Sequence, residues 1–453
     1  MLNNKQQQAL DLMNNGSNVF LTGKAGTGKS FIVKKFMEES KNKIMICAPT
    51  GIAALNVGGC TIHRAFRLPI DYAPRSDYLG TSEDTKNALK EIDTIIIDEI
   101  SMVRADTFSH VEHKLSNICG GYFGNKQIIV VGDFYQAAPV AKSDELENLN
   151  NDYGGLYCFD TKAWNNASFE SIELDTVVRQ ASKDFANALN GIRDGSDTNT
   201  GIDYLNYQAA TNKQPEDFVT LCFTNKQAEK TNDYRLNKLN APQQQYNALQ
   251  VGEVKPSDKP VPDILLLKVG AKVMLCVNDK DDRYVNGTTG TITKLTQQMV
   301  EVDHSIQVER HEWEIKEPGD NGVMKIIGTY KQYPIKLGWA ITIHKSQGQT
   351  ITDNVVLAMD GVRRPHGLTY VALSRCSDIN NLYFKQQLKA SDIFIDQQVS
   401  SKLNAILSGF DTMKYSRVYA DLFELLKKTC DKSPTIPQME QMKARLNGWI
   451  ANV

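Results

Sequence analysis

Apolar residues recur along the chain in two rhythms. Leu2, Ala9, Leu10 and Met13 fall on one face of an opening helix, which the Asn14-Asn15-Gly16 turn ends. Continuous apolar runs at 19–21, 43–48, 94–97 and 127–131 are too short for helices and read as buried strands. Such runs suit a parallel sheet, whose strands are covered on both faces. A helix is expected at 31–37 and another begins within 49–55, so strands and helices alternate. This predicts a doubly wound parallel sheet through about residue 178. Further strands at 219–223 and 354–359 predict a second α/β domain.

Three stretches break the alternation. Residues 68–90 hold Pro69, Pro74, two tyrosines and several charges, and read as a small insertion. Residues 241–260 are rich in Pro and Gln without helical period, and read as a linker or irregular arm. Short strands at 270–277, 286–293 and 299–302, with a hairpin signal at Asn286-Gly287, suggest a small antiparallel barrel inserted into the second domain. The tail carries two helical packing stripes, Val418, Leu422, Leu425 and Leu426, then Met439, Met442, Leu446 and Trp449.

The 453 residues allow two or three domains with proper cores. A net charge of −2 gives no global basic signature, so any nucleic-acid contact must come from a local groove. No apolar run approaches the roughly 20 residues of a membrane span. The polar start, Asn3 to Gln8, is no signal segment, and a cytoplasmic protein of bacterial or phage type is expected. The eight cysteines form no C-x-x-C pair, which argues for reduced core thiols over a zinc cluster.

Chemistry concentrates at the ends of the apolar runs. Gly23, Lys24, Ala25, Gly26, Thr27, Gly28, Lys29 and Ser30 fit G-x-x-x-x-G-K-[ST] between a strand and a helix. Glycines there let backbone N–H groups close on phosphates at a helix N-terminus, Lys29 reaches the β- and γ-phosphates, and Ser30 ligates Mg²⁺. Asp98 and Glu99 end an apolar strand and suit metal ligation and orientation of the attacking water. Gln136, in Gly132-Asp133-Phe134-Tyr135-Gln136, sits where it could sense the γ-phosphate. Phe134 and Tyr135 read equally as core aromatics or as base-stacking faces. The Pro49-Thr50-Gly51 turn offers a hydroxyl and N–H groups to a phosphodiester. The segment containing Thr342, His344, Lys345 and Gly348 is dense in short polar donors suited to a phosphate backbone. Read singly, Gln6 is a surface residue, His63 a satisfied or solvated histidine, Arg179 a helix-start surface residue and Arg375 a surface ion-pair partner. The other reading of both arginines is a γ-phosphate ligand supplied across a cleft.

Taken together, LTGKAGTGKS, CAPTGIAALNVGGCTIH, IIIDEISM, VVGDFYQAAPV, VVRQ, AITIHKSQGQT and YVALSRC resemble superfamily 1 helicases. The resemblance is strongest to the Pif (petite integration frequency) family of 5′-to-3′ DNA helicases. The stretch 103–118 is similar to that family's signature helix, and with the short barrel it argues against a RecD- or Dda-like helicase. The resemblance implies two RecA-like doubly wound parallel-sheet domains of the P-loop NTPase class, with a small wedge and an SH3-like barrel inserted. The expected layout is 1–67 with 91–178 as the first domain and 68–90 as the wedge. The second domain is 179–279 with 334–390, the barrel 280–333, and a helical extension 391–453.

By the same resemblance Gln6 contacts adenine, while Gln136, Arg179, Gly348 and Arg375 surround the γ-phosphate. Thr50, His63, Phe134, Thr342, His344 and Lys345 line the single strand. Implied cofactors are ATP and Mg²⁺. Implied partners are single-stranded DNA and forked or 5′-tailed duplexes, with G-quadruplexes and RNA–DNA hybrids left open and no membrane. Implied settings are DNA repair, recombination and telomere maintenance. The alternative is a nucleotide-gated single-stranded DNA-binding ATPase with little unwinding. Two departures stand out: Ala137-Ala138-Pro139 replaces the usual Leu-Pro-Pro, and Lys5 replaces an acidic residue before Gln6.

Overall fold

Six parallel strands form the first sheet. They are β1 (Val19–Gly23), β2 (Ile44–Ala48), β3 (Cys60–Thr61), β4 (Thr94–Ile97), β5 (Gln127–Val131) and β6 (Glu170–Leu174), in spatial order β3-β2-β4-β5-β1-β6. All pair in parallel. Every residue of β1 and β4 is buried, as the unbroken apolar runs require. The strand order reverses between β1 and β4, so their carboxyl ends open on one crevice, where such sheets bind ligands. The helices Asn4–Asn14 and Lys29–Glu39 cover β1 through Leu10, Met13, Ile32 and Phe36.

This computed structural model describes residues 2–69, 71–72, 82–176, 182–211, 215–281, 283–319, 324–346, 351, 353–358 and 365–408. Arg179, Gly348, residues 73–81 of the expected wedge and residues 409–453 of the expected helical extension lie outside them, as does the Lys345 side chain. No helix among the described residues is long and apolar enough to cross a membrane.

A second parallel sheet starts with β7 (Val219–Cys222). Strands Ala340–Thr342 and Val355–Leu357 flank it, and Leu382–Phe384 is on the far edge. Helices Lys183–Asp194 and Leu368–Ser374 share its core through Phe185, Leu189, Val371 and Leu373.

After the helix Asn225–Lys238, antiparallel strands make up most of the chain up to Ala340. One five-stranded sheet runs from Ile306–Val308 across to Ile335–Leu337, and one three-stranded sheet pairs His311–Pro318, Met324–Gln332 and Leu249–Gly252. This part begins earlier and ends later than the expected 280–333. The expected linker 241–260 contains the strands Gln243–Asn247 and Leu249–Gly252. The physical reason is exposure. Only Tyr246 of the first strand is buried and none of the second, so neither shows an apolar alternation.

Candidate nucleotide and nucleic-acid site

The carboxyl end of β1 turns into the helix Lys29–Glu39 through the glycine-rich loop. Gly28 is the N-cap with φ of 90°, a left-handed conformation that spares a Cβ penalty. The cap has no side-chain hydrogen bond, which leaves the first N–H groups of the helix for an anion. Gln6 from the opening helix donates its Nε2 to the Thr27 carbonyl at 3.2 Å, which places its side chain against this loop. Lys29 Nζ donates to the carbonyls of Gly23 at 2.6 Å and Lys24 at 3.0 Å. Loss of water lowers its pKa, against the opposing pull of Asp133, Glu99 and Asp98.

Asp98 and Glu99 follow β4. Burial and the adjacent Glu99 charge push the Asp98 carboxyl up to about 7, opposed by the Glu99 N–H donated to its Oδ1 at 2.9 Å. Glu99 itself has φ 51° and ψ 44°, a left-handed backbone that is strained for a side-chain-bearing residue. Ser30, Asp98, Glu99, Lys29, Gln136 and Arg375 line one cavity of about 270 Å³. A desolvated carboxylate pair beside a hydroxyl is a hard oxygen donor set that fits Mg²⁺.

The second sheet reaches this cavity from the opposite side. Arg375 is 2 % exposed and donates to the carbonyls of Val371 at 3.1 Å and Ser346 at 3.3 Å. The Tyr370 hydroxyl accepts from the Ala25 N–H at 3.2 Å, within the phosphate loop. Gly367, φ 71°, passes so close that a Cβ would come 2.3 Å from the carbonyl oxygens of Tyr135 and Gln136. His366 donates its Nε2 proton to the Phe134 carbonyl at 2.7 Å, while its Nδ1 accepts from the Asp396 N–H at 2.8 Å.

Phe134 and Tyr135 require correction as base-stacking faces. Phe134 is fully buried, with ring centroids 4.8 Å from Phe159, 5.6 Å from Phe20 and 5.7 Å from Trp164. Tyr135 is 5 % exposed and lies under the Arg193 guanidinium at 4.6 Å. The turn after β5 causes this, because Asp133 accepts the Tyr135 N–H and folds both rings inward. Gly51 is buried with the Ser257 carbonyl against it and borders a small cavity with Arg64 and Asp258.

That adjoining cavity, about 730 Å³, shares Ser30, Asp98 and Glu99 with the nucleotide site and extends to Thr50, His344, Trp313 and Lys336. Thr50 is exposed, and its hydroxyl oxygen accepts the Ala53 N–H at 3.2 Å, which leaves its proton to donate. His344 is half-buried, and burial lowers its pKa. Thr342, 4 % exposed, opens on a neighbouring cavity of about 600 Å³. Pro49 is half-buried at the end of β2. His63 is half-buried, and its pKa is lowered by burial and by Arg104 while Asp106 opposes.

Asp133, Arg193, Tyr370 and His366 went unassigned from sequence. Arg193 left one faint signal. It continues the apolar stripe of Phe185, Ala188, Leu189 and Ile192, an inward position that suits a charge only if it is paired.

Two parallel sheets that close a phosphate loop, an acid pair and an arginine around one cavity define a P-loop nucleoside-triphosphatase of the RecA-like motor class. The family model described as PIF1-like helicase matches residues 1–201. The ATP-dependent DNA helicase Pif1 of Bdellovibrio bacteriovorus is 31 % identical over 397 residues, covering 84 % of this chain and 87 % of that protein. Among solved structures, Bacteroides Pif1 in complex with ADP-AlF4 is 32 % identical with a TM-score of 0.83, covering 91 % of this chain and 98 % of that one. Bacteroides Pif1 bound to single-stranded DNA matches over the same shares at 32 % identity with a TM-score of 0.68. The chain belongs to the PIF1-like helicase family.

Proposed function

We propose that this chain is an ATP-dependent DNA helicase that steps 5′ to 3′ along single-stranded DNA and opens the duplex ahead of it. The observation that carries this reading is the shared wall. Ser30, Asp98 and Glu99 border both the nucleotide cavity and the larger cavity that extends to Thr50 and His344. A change in the triphosphate therefore acts on residues that also border the nucleic-acid side.

In this reading the loop N–H groups and Lys29 bind the phosphates, Gln6 contacts the base, and Glu99 orients the attacking water. Gln136 and Arg375 respond to the γ-phosphate from opposite sheets. Ser30 and Asp98 would hold Mg²⁺, which when bound neutralises phosphate charge. Thr50 and His344 contact backbone phosphates, so affinity for single strands falls as salt rises. Opening and closing of the seam between the sheets alternates the grip on the strand.

The test is unwinding of duplexes that bear either a 5′ or a 3′ single-stranded tail, alongside ATPase rates with and without single-stranded DNA. Unwinding from the 5′ tail and DNA-stimulated turnover are expected, and Lys29→Ala should abolish both. Unwinding from the 3′ tail alone would overturn the polarity. Turnover indifferent to DNA would overturn the coupling.

A further inference from the structure

Asp133 lies at the carboxyl end of β5, and Arg193 holds both of its carboxylate oxygens. Arg193 Nε reaches Oδ2 at 3.0 Å and Nη2 reaches Oδ1 at 2.9 Å. The two side chains are 0 % and 3 % exposed. The same carboxylate accepts the Gln136 Nε2 at 3.2 Å, and Gln136 lines the nucleotide cavity. Burial lowers the Lys29 pKa, and the negative charges of Asp133, Glu99 and Asp98 oppose that shift. One buried anion is thus held by the Arg193 guanidinium from the second sheet's side, and its charge also acts on the Lys29 ammonium of the phosphate loop.

We propose that Arg193 is a positioning residue for the ATP site. By occupying both oxygens of Asp133, it keeps that carboxylate from capturing Lys29, and it fixes Gln136 against the cavity.

A buried carboxylate does not remain unpaired; it takes a cation or a proton. The rigid guanidinium fork matches both carboxylate oxygens, whereas lysine is a compact charge on a flexible stem. With Arg193 in place, Lys29 rests on the carbonyls of Gly23 and Lys24 and is available to a triphosphate. With Arg193 removed, Asp133 draws the Lys29 ammonium toward itself and away from the phosphates. The Tyr135 ring under the guanidinium holds the fork in plane from the other side.

This inference rests on Lys29 as the phosphate ligand. Titration of fluorescently labelled ADP separates the two failures: Lys29→Ala binding like the parent would defeat that reading and the inference with it, whereas weakened Lys29→Ala binding leaves the Arg193 variants to decide the inference by itself. The variants for the inference are Arg193→Met, Arg193→Met with Asp133→Asn, and Arg193→Lys, each assayed for nucleotide affinity, KM and kcat for ATP, and thermal unfolding. Arg193→Met should weaken nucleotide binding roughly tenfold or more, as breaking a buried charge pair does. The double variant, with neither charge, should return to within about threefold of the parent even if its unfolding temperature stays low. Arg193→Lys should keep affinity within about threefold while kcat falls, because a point charge neutralises Asp133 without fixing Gln136. Equal affinity loss in the single and double variants would reduce Arg193 to a structural role and overturn the proposal. If Arg193→Met does not fold, Arg193→Lys decides, and a tenfold or larger affinity loss in that folded variant overturns it as well.

Discussion

The backbone of Glu99 separates a catalytic requirement from a stability cost at one position. A left-handed conformation costs a residue with a Cβ about 1–2 kcal/mol, and Glu99 occupies it at φ 51°. Glycine relieves that cost but loses about 0.5–1 kcal/mol through the greater freedom of its unfolded chain. Glutamine keeps the cost and removes only the charge. Both substitutions remove the repulsion between Glu99 and Asp98, so that contribution cancels when the two variants are compared with each other. Glu99→Gly should therefore be more stable than Glu99→Gln by up to about 1.5 kcal/mol, a thermal shift of up to roughly 4 °C. Both should lose roughly a hundredfold or more in DNA-stimulated turnover, the usual loss when a general base is removed. The assay pairs steady-state ATP hydrolysis with thermal unfolding in nucleotide-free buffer. A Glu99→Gly protein less stable than Glu99→Gln would refute stored strain at this turn. Normal turnover in either would refute Glu99 as the group that acts on water.

Arg64 and Asp258 form a buried ion pair at 2.7 Å between the first domain and the antiparallel part of the chain. Arg64→Met should cost about 3–5 kcal/mol by leaving Asp258 buried without its cation, and Arg64→Met with Asp258→Leu should recover most of that, as read by urea unfolding. Phe134→Ala should cost about 3–5 kcal/mol of stability by opening a cavity among its aromatic neighbours. The affinity of its folded fraction for single-stranded DNA should not change; selective loss of DNA binding would restore the stacking role. Burial lowers the His366 pKa, against the Phe134 carbonyl and the charges of Asp396 and Asp133, and its Nδ1 accepts the Asp396 N–H only when unprotonated. Its contribution is therefore present above the ordinary histidine pKa of 6.5 and lost as pH falls through the lowered folded value. The parent should lose stability on acidification from pH 7.5 to about 5.5, and His366→Leu should lose less over that window. A parallel fall in the two proteins would count against the clasp.

What could be read from the chain alone was whatever local pattern dictates. The all-apolar β4 and the glycine spacing after β1 each specify their conformation within a few residues. Legibility failed in two places for two reasons. The strands Gln243–Asn247 and Leu249–Gly252 expose nearly all their side chains, so hydrogen bonding to neighbouring strands defines them and no apolar rhythm marks them. Phe134 was ambiguous because an aromatic at a strand end faces inward or outward according to the turn after it. Here Asp133 decides, and Asp133 is in turn fixed by Arg193, 60 residues away in sequence. The seam depends on still more distant partners. The Tyr370 contact with Ala25 spans 345 positions and the His366 contact with Phe134 spans 232, beyond the reach of any periodicity.

Those distant contacts also bear on how a triphosphate could move the two sheets. Lys29 rests on the carbonyls of Gly23 and Lys24, and Arg375 donates to the carbonyls of Val371 and Ser346. One cation belongs to the first sheet and one to the second, and both line the same cavity. A γ-phosphate is a charged acceptor that competes with these neutral carbonyls for both. Lys29 can make its exchange in the open and the closed seam alike, so only the Arg375 exchange favours closure, and trading a neutral carbonyl for an anionic acceptor there contributes on the order of 1–1.5 kcal/mol. That corresponds to a shift of about five- to twelvefold in the closed population. On the proposed role of Arg375, hydrolysis and phosphate loss would remove the charged acceptor and return the arginine to the carbonyls of its own side. The drive is then limited by the difference between acceptors and not by total affinity for nucleotide, because binding that is equal in the open and closed seam moves nothing.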